Sequence, residues 1–144
     1  MTARGPFLVD TNVVSELMRP QTHPAVQRWL DGVDAEDLFL SATALAESRV
    51  GVAILPAGRR KAYLASALDQ VLNTLFRGRV LAFDIEAAEA FALAVSRARK
   101  AGRVIQVADA QIAAIASVHG FVVATRDVGP FVAAGVGVVN PWEA

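Results

Sequence analysis

The stretch that decides the fold reads Pro6-Phe-Leu-Val-Asp-Thr-Asn-Val-Val-Ser-Glu-Leu17. Its first part, Phe7 to Val9, has the bulk and β-branching of a buried strand, whereas the apolar residues from Val13 onward recur at helical spacing. Asp10 is therefore predicted to lie where a strand passes into a helix. Ligands of open parallel α/β sheets bind at the carboxyl ends of the strands. This carboxylate is predicted to be either a helix cap or part of an active site.

The rest of the chain alternates strand-like and helix-like segments. Short apolar runs predict four more strands, at residues 37–41, 80–83, 121–124 and 136–139. Helical periodicity predicts further helices at 25–30, 43–55, 59–76, 85–101 and 105–119. Because strands alternate with helices and no hairpin signal occurs, we expect an α/β fold with a central parallel β-sheet flanked by helices. Residues 1–144 are predicted to form a single domain, of which 1–5 are a loose N-terminal leader.

Composition excludes several classes of function. Lys plus Arg and Asp plus Glu number 14 each, and the zero net charge argues against a protein that coats polyanions, though not against a small nucleic-acid site. The absence of cysteine excludes disulfides and thiolate zinc sites, and makes the cytoplasm the expected location. No signal peptide is predicted, and no apolar run approaches the roughly 18 residues of a membrane span. The 54% hydrophobic content instead predicts a buried parallel sheet and a sticky helical surface for a partner.

Four carboxylates stand out by their position: Asp10, Glu47, Asp109 and Asp127. Asp10 and Asp127 follow predicted strands, where the alternative roles are a helix cap and a turn residue, respectively. Glu47 is predicted on the inward face of its helix, where an ionised carboxylate needs an ion pair or a metal. Asp109 is also predicted to face the core, although the start of a helix favours an acid in any case.

Together the four acids indicate a metal site. Two lie at strand ends and two on inward helix faces, so all four are expected to converge at one edge of the sheet. Crowded carboxylates raise one another's pKa, and divalent cations relieve that repulsion. Oxygen ligands without cysteine or a histidine cluster predict Mg²⁺ or Mn²⁺ rather than zinc. Two such ions roughly 3.5–4 Å apart can hold a phosphodiester and activate water.

Five short motifs, in this order and spacing, resemble the PIN-domain family, specifically the VapC-type toxins of bacterial type II toxin–antitoxin pairs. They are Leu8-Val-Asp-Thr-Asn12, Ser41-Ala-Thr-Ala-Leu-Ala-Glu-Ser-Arg-Val-Gly51, Val107-Ala-Asp-Ala-Gln-Ile-Ala-Ala114, Ala124-Thr-Arg-Asp127 and Asn140-Pro-Trp142. The resemblance covers nearly the full length. Leu55-Pro-Ala-Gly58 and the closing Asn-Pro-Trp add a likeness to FitB-like toxins, whose partner is the DNA-binding antitoxin FitA.

The resemblance implies a PIN-like fold and a metal-dependent endoribonuclease, a hydrolase of phosphodiester bonds. The same four carboxylates would be both catalytic and metal-binding, with Asp10 and Asp109 the principal ligands of Mg²⁺ or Mn²⁺. Thr11, Asn12 and Thr125 would orient the carboxylates, as the surroundings of metal ligands usually do. A metal-activated water would attack the RNA phosphodiester in line, leaving 5′-phosphate and 3′-hydroxyl ends.

The resemblance also implies two protein partners. A cognate, DNA-binding antitoxin would neutralise the toxin, and the toxin itself would form a homodimer or a larger toxin–antitoxin assembly. The antitoxin tail is expected in an apolar groove between the early helices, lined by Trp29, Leu30, Leu64 and Leu68.

Basic residues divide into two groups. Arg49 and Arg126, next to two of the acids in sequence, are candidates for steering phosphate. The remaining clusters, at residues 59–61 and at Arg97, Arg99, Lys100 and Arg103, are predicted to be solvated helix faces.

Two other functions stay open at this point. A catalytically quiet PIN subunit would serve as dimerisation partner and corepressor of a DNA-binding antitoxin, although the intact acids favour the nuclease. An α/β receiver or phosphatase with an acidic Mg²⁺ pocket would need a second Asp shortly after Asp10 or a Lys after the last strand. The sequence has neither.

Overall fold

The computed structural model describes residues 4–144 and contains one sheet of five parallel strands. The strands are β1 (Phe7–Val9), β2 (Leu38–Ser41), β3 (Val80–Leu81), β4 (Val122–Ala124) and β5 (Val138–Val139). Valine, leucine and phenylalanine dominate them, as expected for strands covered on both faces. The predicted central parallel sheet is confirmed. The outer strands β3 and β5 are two residues long, half of the predicted length.

Seven α-helices flank the sheet within residues 4–144. They are α1 (Thr11–Leu17), α2 (Pro24–Asp31), α3 (Ala42–Ala53), α4 (Arg59–Val71), α5 (Ile85–Lys100), α6 (Val107–His119) and α7 (Val128–Ala134). A 3₁₀ turn at Ala35–Asp37 precedes β2, and a π-helical segment, Leu72–Phe76, extends α4. Local sequence explains several ends: Pro24 begins α2, and Gly120 ends α6 in the left-handed conformation with a φ of 71°.

Two helix predictions were wrong in detail. The predicted helix at 105–119 begins only at Val107, and Ile105 lies buried in the segment that precedes it. Helix α7 is absent from the sequence-based prediction, because Gly129 and Pro130 interrupt its helical signal. Proline is nevertheless tolerated in the first turn of a helix, where its missing N–H has no partner to lose, and Pro130 occupies that turn.

The strand order places a crevice beside β1. The order is β3-β2-β1-β4-β5. The chain therefore adds β2 and β3 on one side of β1 and later adds β4 and β5 on the other side. Such a reversal is the point at which open α/β sheets bind ligands. Register pairs Val9 with Ala124, and Asp10 N donates to Ala124 O at 2.9 Å. The residues that follow β1 and β4 are therefore neighbours.

The core covers both faces of the sheet and supports the crevice. Leu8, Leu40 and Ile112 are fully buried, as are Phe76 and Phe131. Helix α6 is buried over most of its surface, which fixes the position of its first turn. None of the helices among residues 4–144 has the length and apolar content that a membrane span requires. The domain limits 1–144 stay a prediction, and residues 1–3 of the predicted leader lie outside the described residues.

Candidate active site

Asp10 is held by hydrogen bonds to both of its carboxylate oxygens. Thr11 N donates to Oδ1 at 2.8 Å, and Thr125 Oγ1 donates to Oδ2 at 2.8 Å. Only 5% of Asp10 is exposed. The first of these bonds makes Asp10 the N-cap of α1. Asp10 is therefore a helix cap at the edge of the sheet where the strands end, and its predicted part in an active site stays a prediction.

Thr125 joins the segments that follow β1 and β4. Its buried hydroxyl donates to Asp10, and accepts from Asn12 Nδ2 at 3.2 Å and from Asp127 N at 3.0 Å. A hydroxyl has one donor and two acceptor positions, so the capacity of Thr125 is filled. Asn12 Oδ1 in turn accepts from Arg126 N at 3.2 Å. The network fixes the carboxylate of Asp10 relative to the start of α7.

Glu47 is exposed, and the prediction that it faces the core is wrong. The buried side of α3 consists of Ala44, Ser48 and Val52. Because α3 carries apolar residues on both faces, hydrophobic periodicity did not distinguish them. Glu47 joins the site from the solvent side, where its Oε1 accepts a hydrogen bond from Thr11 Oγ1 at 2.7 Å.

Asp109 and Asp127 enter from the starts of two helices. Asp109 lies half-buried in the first turn of α6, so the expectation that it faces the core holds only in part. Asp127 is exposed at the N-cap position of α7, where its carboxylate makes no capping hydrogen bond. Its backbone is fixed through Thr125.

The charges of neighbouring carboxylates act on the pKa values of Asp10 and Asp109. The pKa of Asp109 is raised to about 6, mainly by burial and then by the charges of Asp10, Asp127 and Glu47, whereas Arg103 opposes the rise. Burial also raises the pKa of Asp10, and the charges of Glu47 and Asp127 act in the same direction. Hydrogen bonds donated to Asp10 partly offset this effect.

The donor set fits a hard divalent cation. Carboxylate oxygens, with hydroxyl and amide groups behind them, are the surroundings that Mg²⁺ and Mn²⁺ prefer. Within residues 4–144, no three acidic or histidine side chains are gathered closely enough to hold an ion as they stand. A divalent cation bound among these carboxylates would relieve their mutual repulsion.

Three arginines that bear on the predicted site differ in their contacts. Arg49 forms an ion pair with Asp69 at 2.8 Å, and the Arg126 guanidinium lies 4.9 Å from the centroid of the Trp142 ring. Their predicted roles in steering phosphate stay predictions. Arg103, interpreted above as part of a solvated helix face, lies beyond the end of α5, and its charge acts on the pKa of Asp109, which was not predicted from the sequence. The available signal was its place just before the helix that carries Asp109.

The predicted groove between the early helices needs correction. Leu68 is fully buried and presents no surface to a partner, and Trp29, only 5% exposed, lines a different cavity beside Phe7 and Arg28. Leu30 does line an open cavity of about 440 Å³ between α1, α2 and α4, together with Tyr63 and Val71.

Comparison with known proteins identifies the family. The family model described as PIN domain matches residues 7–135. Three relatives align over nearly their whole length. Plasmid stability protein StbB of Pseudomonas syringae pv. tomato is 47% identical over 96% of this chain and 99% of its own. VapC ribonuclease Y4jK of Sinorhizobium fredii is 45% identical over 95% and 98%, and Toxin FitB of Neisseria gonorrhoeae is 48% identical over 95% and 99%, respectively.

Solved structures agree with this result. The crystal structure of FitAcB from Neisseria gonorrhoeae superposes with a TM-score of 0.87 at 47% identity, covering 96% of this chain and 99% of that chain. The structure of FitAB bound to the IR36 DNA fragment gives a TM-score of 0.86 at 47% identity, with coverages of 94% and 95%. The chain described here therefore belongs to the PIN-domain family.

Proposed function

We propose that this protein is an endoribonuclease that depends on a divalent cation, Mg²⁺ or Mn²⁺, and acts as the toxin of a type II toxin–antitoxin pair. The observation that carries the proposal is that Asp10, at the end of β1, and Asp109 both lie within reach of the charges of Glu47 and Asp127. The names of the relatives Y4jK and FitB support it.

The chain's own residues would hold the cation and keep the acids in place. Asp10 and Asp109 would be the principal ligands, and Glu47 and Asp127 would complete the acidic pocket. Thr125 and the backbone of Thr11 fix both oxygens of Asp10, so this ligand would need little reorganisation on binding. When bound, the cation supplies Lewis acidity that activates water and stabilises charge on the phosphodiester.

Cation binding would also displace protons. With a pKa of about 6, Asp109 holds a proton in a fraction of molecules at neutral pH when no cation is present. Because a ligand carboxylate must be ionised, cation affinity would rise as the pH increases through this value.

Partners and location follow from the same proposal. A DNA-binding antitoxin would neutralise the toxin, which the FitAB–DNA structure supports for a relative of nearly equal length. We also propose a cytoplasmic location, where RNA is available, and a homodimer. Exposed apolar side chains such as Ile54 and Leu93 would find cover in a dimer, and sedimentation of the purified protein as a monomer would contradict this part.

Cleavage of a mixed panel of single-stranded and structured RNAs tests the activity. The purified protein would be incubated with Mg²⁺, with Mn²⁺ and with EDTA, beside Asp10→Asn, Asp109→Asn and Glu47→Gln. The matched control is Glu89→Gln, which neutralises an exposed glutamate on α5. We expect cation-dependent cleavage that leaves 5′-phosphate ends, loss of cleavage in the Asp variants, and full activity in the control.

A protein that cuts no RNA in this assay would point to the alternative function. The proposed nuclease activity would be contradicted if the purified protein binds the cation, is free of antitoxin and still cuts none of the RNAs. That result would favour the catalytically quiet subunit that acts through a DNA-binding antitoxin.

A further inference from the structure

Arg103 has a backbone position fixed by the end of α5. Gly102 adopts the left-handed conformation with a φ of 83°, and Arg103 N donates to Ala98 O at 2.9 Å. Gly102 N also donates to Arg99 O at 2.9 Å, and the two bonds together form a Schellman turn. The chain then passes directly to α6, whose first turn carries Asp109.

The guanidinium of Arg103 rests on the bare backbone of Gly129. A methyl group added to Gly129 would lie 2.5 Å from Nη1 and 3.1 Å from Cζ of Arg103. Gly129 is two residues beyond Asp127, in the first turn of α7. The guanidinium therefore lies beside the start of α7, next to the segment that carries Asp127, in a space that exists because residue 129 has no side chain.

The guanidinium of Arg103 has no ion-pair or hydrogen-bond partner among the described residues. Among residues 4–144, Arg103 forms no ion pair, and its side chain donates no hydrogen bond to a protein acceptor. Arg19 and Arg49 are ion-paired, and Arg79 donates to three backbone carbonyls. Arg103 is exposed, and its charge still reaches the cluster, since it opposes the rise in the pKa of Asp109.

We infer that Arg103 binds a phosphate of the RNA substrate beside the acidic cluster. The inference rests on the proposed function. A phosphodiester that approaches four carboxylates meets charge of its own sign, and an unpaired guanidinium at the edge of the cluster offsets that repulsion. The planar fork of arginine matches two phosphate oxygens, so it also orients the strand.

Fluorescence anisotropy tests the inference without requiring cleavage. A labelled random-sequence single-stranded RNA is titrated with protein at several salt concentrations, with Ca²⁺ replacing Mg²⁺. For Arg103→Ala we expect the Kd to rise roughly tenfold to a hundredfold. This is the loss of affinity typical of removing a hydrogen bond between charged groups. The slope of log K against log salt concentration should fall by about 0.7, because one phosphate contact to a single strand is removed.

Arg97→Ala is the matched control. Arg97 is also exposed and lies against the glycine at the other end of α7, Gly135. That end is about 9 Å away along the helix. Because salt screens charge–charge interactions over this distance, we expect Arg97→Ala to change the Kd by less than about threefold. An equal loss in both variants would show that only general surface charge matters, and would overturn the inference.

Gly129→Ala moves the guanidinium while leaving its charge in place. Residue 129 is helical without a positive φ, so alanine suits its backbone, and the clash falls on the flexible end of Arg103. We expect weaker RNA binding from Gly129→Ala alone and no further effect when Arg103→Ala is also present, the signature of coupled residues. Circular dichroism would check that all variants keep the fold.

The outcomes separate this inference from the proposed function. Unchanged binding and salt slope in Arg103→Ala would refute the phosphate contact, whether or not the wild-type protein cuts RNA. If RNA binding depends on Arg103 but the protein cuts no RNA with Mg²⁺ or Mn²⁺, the nuclease activity would be refuted and the phosphate contact of Arg103 would still stand.

Discussion

Replacing Asp109 by asparagine should stabilise the cation-free protein at neutral and alkaline pH. The pKa of Asp109 rises from 3.8 to about 6 on folding, so the folded state holds the proton more tightly than the unfolded state. A carboxyl with a raised folded pKa contributes its stability below about pH 4, and that stability is lost as the pH rises through about 6. Asparagine has a similar shape and stays neutral, so the Asp109→Asn variant escapes this loss.

The magnitude follows from the size of the shift. Each pKa unit corresponds to about 1.36 kcal/mol, so the full shift would represent about 3 kcal/mol. Asp109 is partly exposed, and solvent screening reduces the figure by about half, to roughly 1.5 kcal/mol. For a chain of this length that gain corresponds to an increase in Tm of about 3–6 °C.

Thermal unfolding in EDTA, followed by circular dichroism from pH 4 to pH 8, measures the effect. The Tm of Asp109→Asn should equal that of the wild type near pH 4 and exceed it at pH 8. Adding Mg²⁺ at pH 8 should raise the Tm of the wild type more than that of the variant, since a ligand stabilises the state that binds it. A difference that does not depend on pH, or a less stable variant at pH 8, would refute the electrostatic reasoning.

Three further substitutions probe the framework of the site. Thr125→Val leaves Oδ2 of the buried Asp10 carboxylate without its donor, and should lower the free energy of unfolding by about 1–3 kcal/mol in urea denaturation. It should also reduce RNA cleavage, measured as kcat. Ile112→Ala opens a cavity under α6 and should reduce stability by about 2–5 kcal/mol, with a lower urea midpoint. Arg79→Met removes hydrogen bonds to three backbone carbonyls and should cost about 2–3 kcal/mol, whereas exposed Arg99→Met should stay within about 0.5 kcal/mol in the same assay.

The sequence predicts the fold where local signals and burial agree. Phe7 to Val9 is both β-prone and fully covered, and the helix that follows starts at a capping Asp, so local sequence alone is enough to predict the β1–α1 junction. Helix α7 lacks such agreement. Its seven residues include Gly129 and Pro130, and its helical state depends on packing against α5 and α6 rather than on propensity.

The sequence predicts that the four carboxylates of the candidate site lie near one another better than it predicts how each is oriented, and their catalytic roles stay predictions. Strand-end positions bring Asp10 and Asp127 together by topology alone. The orientation of Glu47 was mispredicted, because a helix with apolar residues on both sides carries no clear periodic signal. The position of Arg103 just before α6 is visible in the sequence, whereas no local pattern connects its guanidinium to a glycine 26 positions away.

The pairing of β1 with β4 joins the first strand to residues more than one hundred positions later, and this order governs when the acidic pocket can form during synthesis. The Thr125–Asp10 hydrogen bond spans 115 positions of a chain of 144. A product truncated before residue 125 lacks both Thr125 and Asp127, so it holds at most three of the four acids and leaves Oδ2 of Asp10 without its donor. The acidic pocket therefore requires a chain synthesised at least as far as Asp127, and shorter translation products cannot carry it.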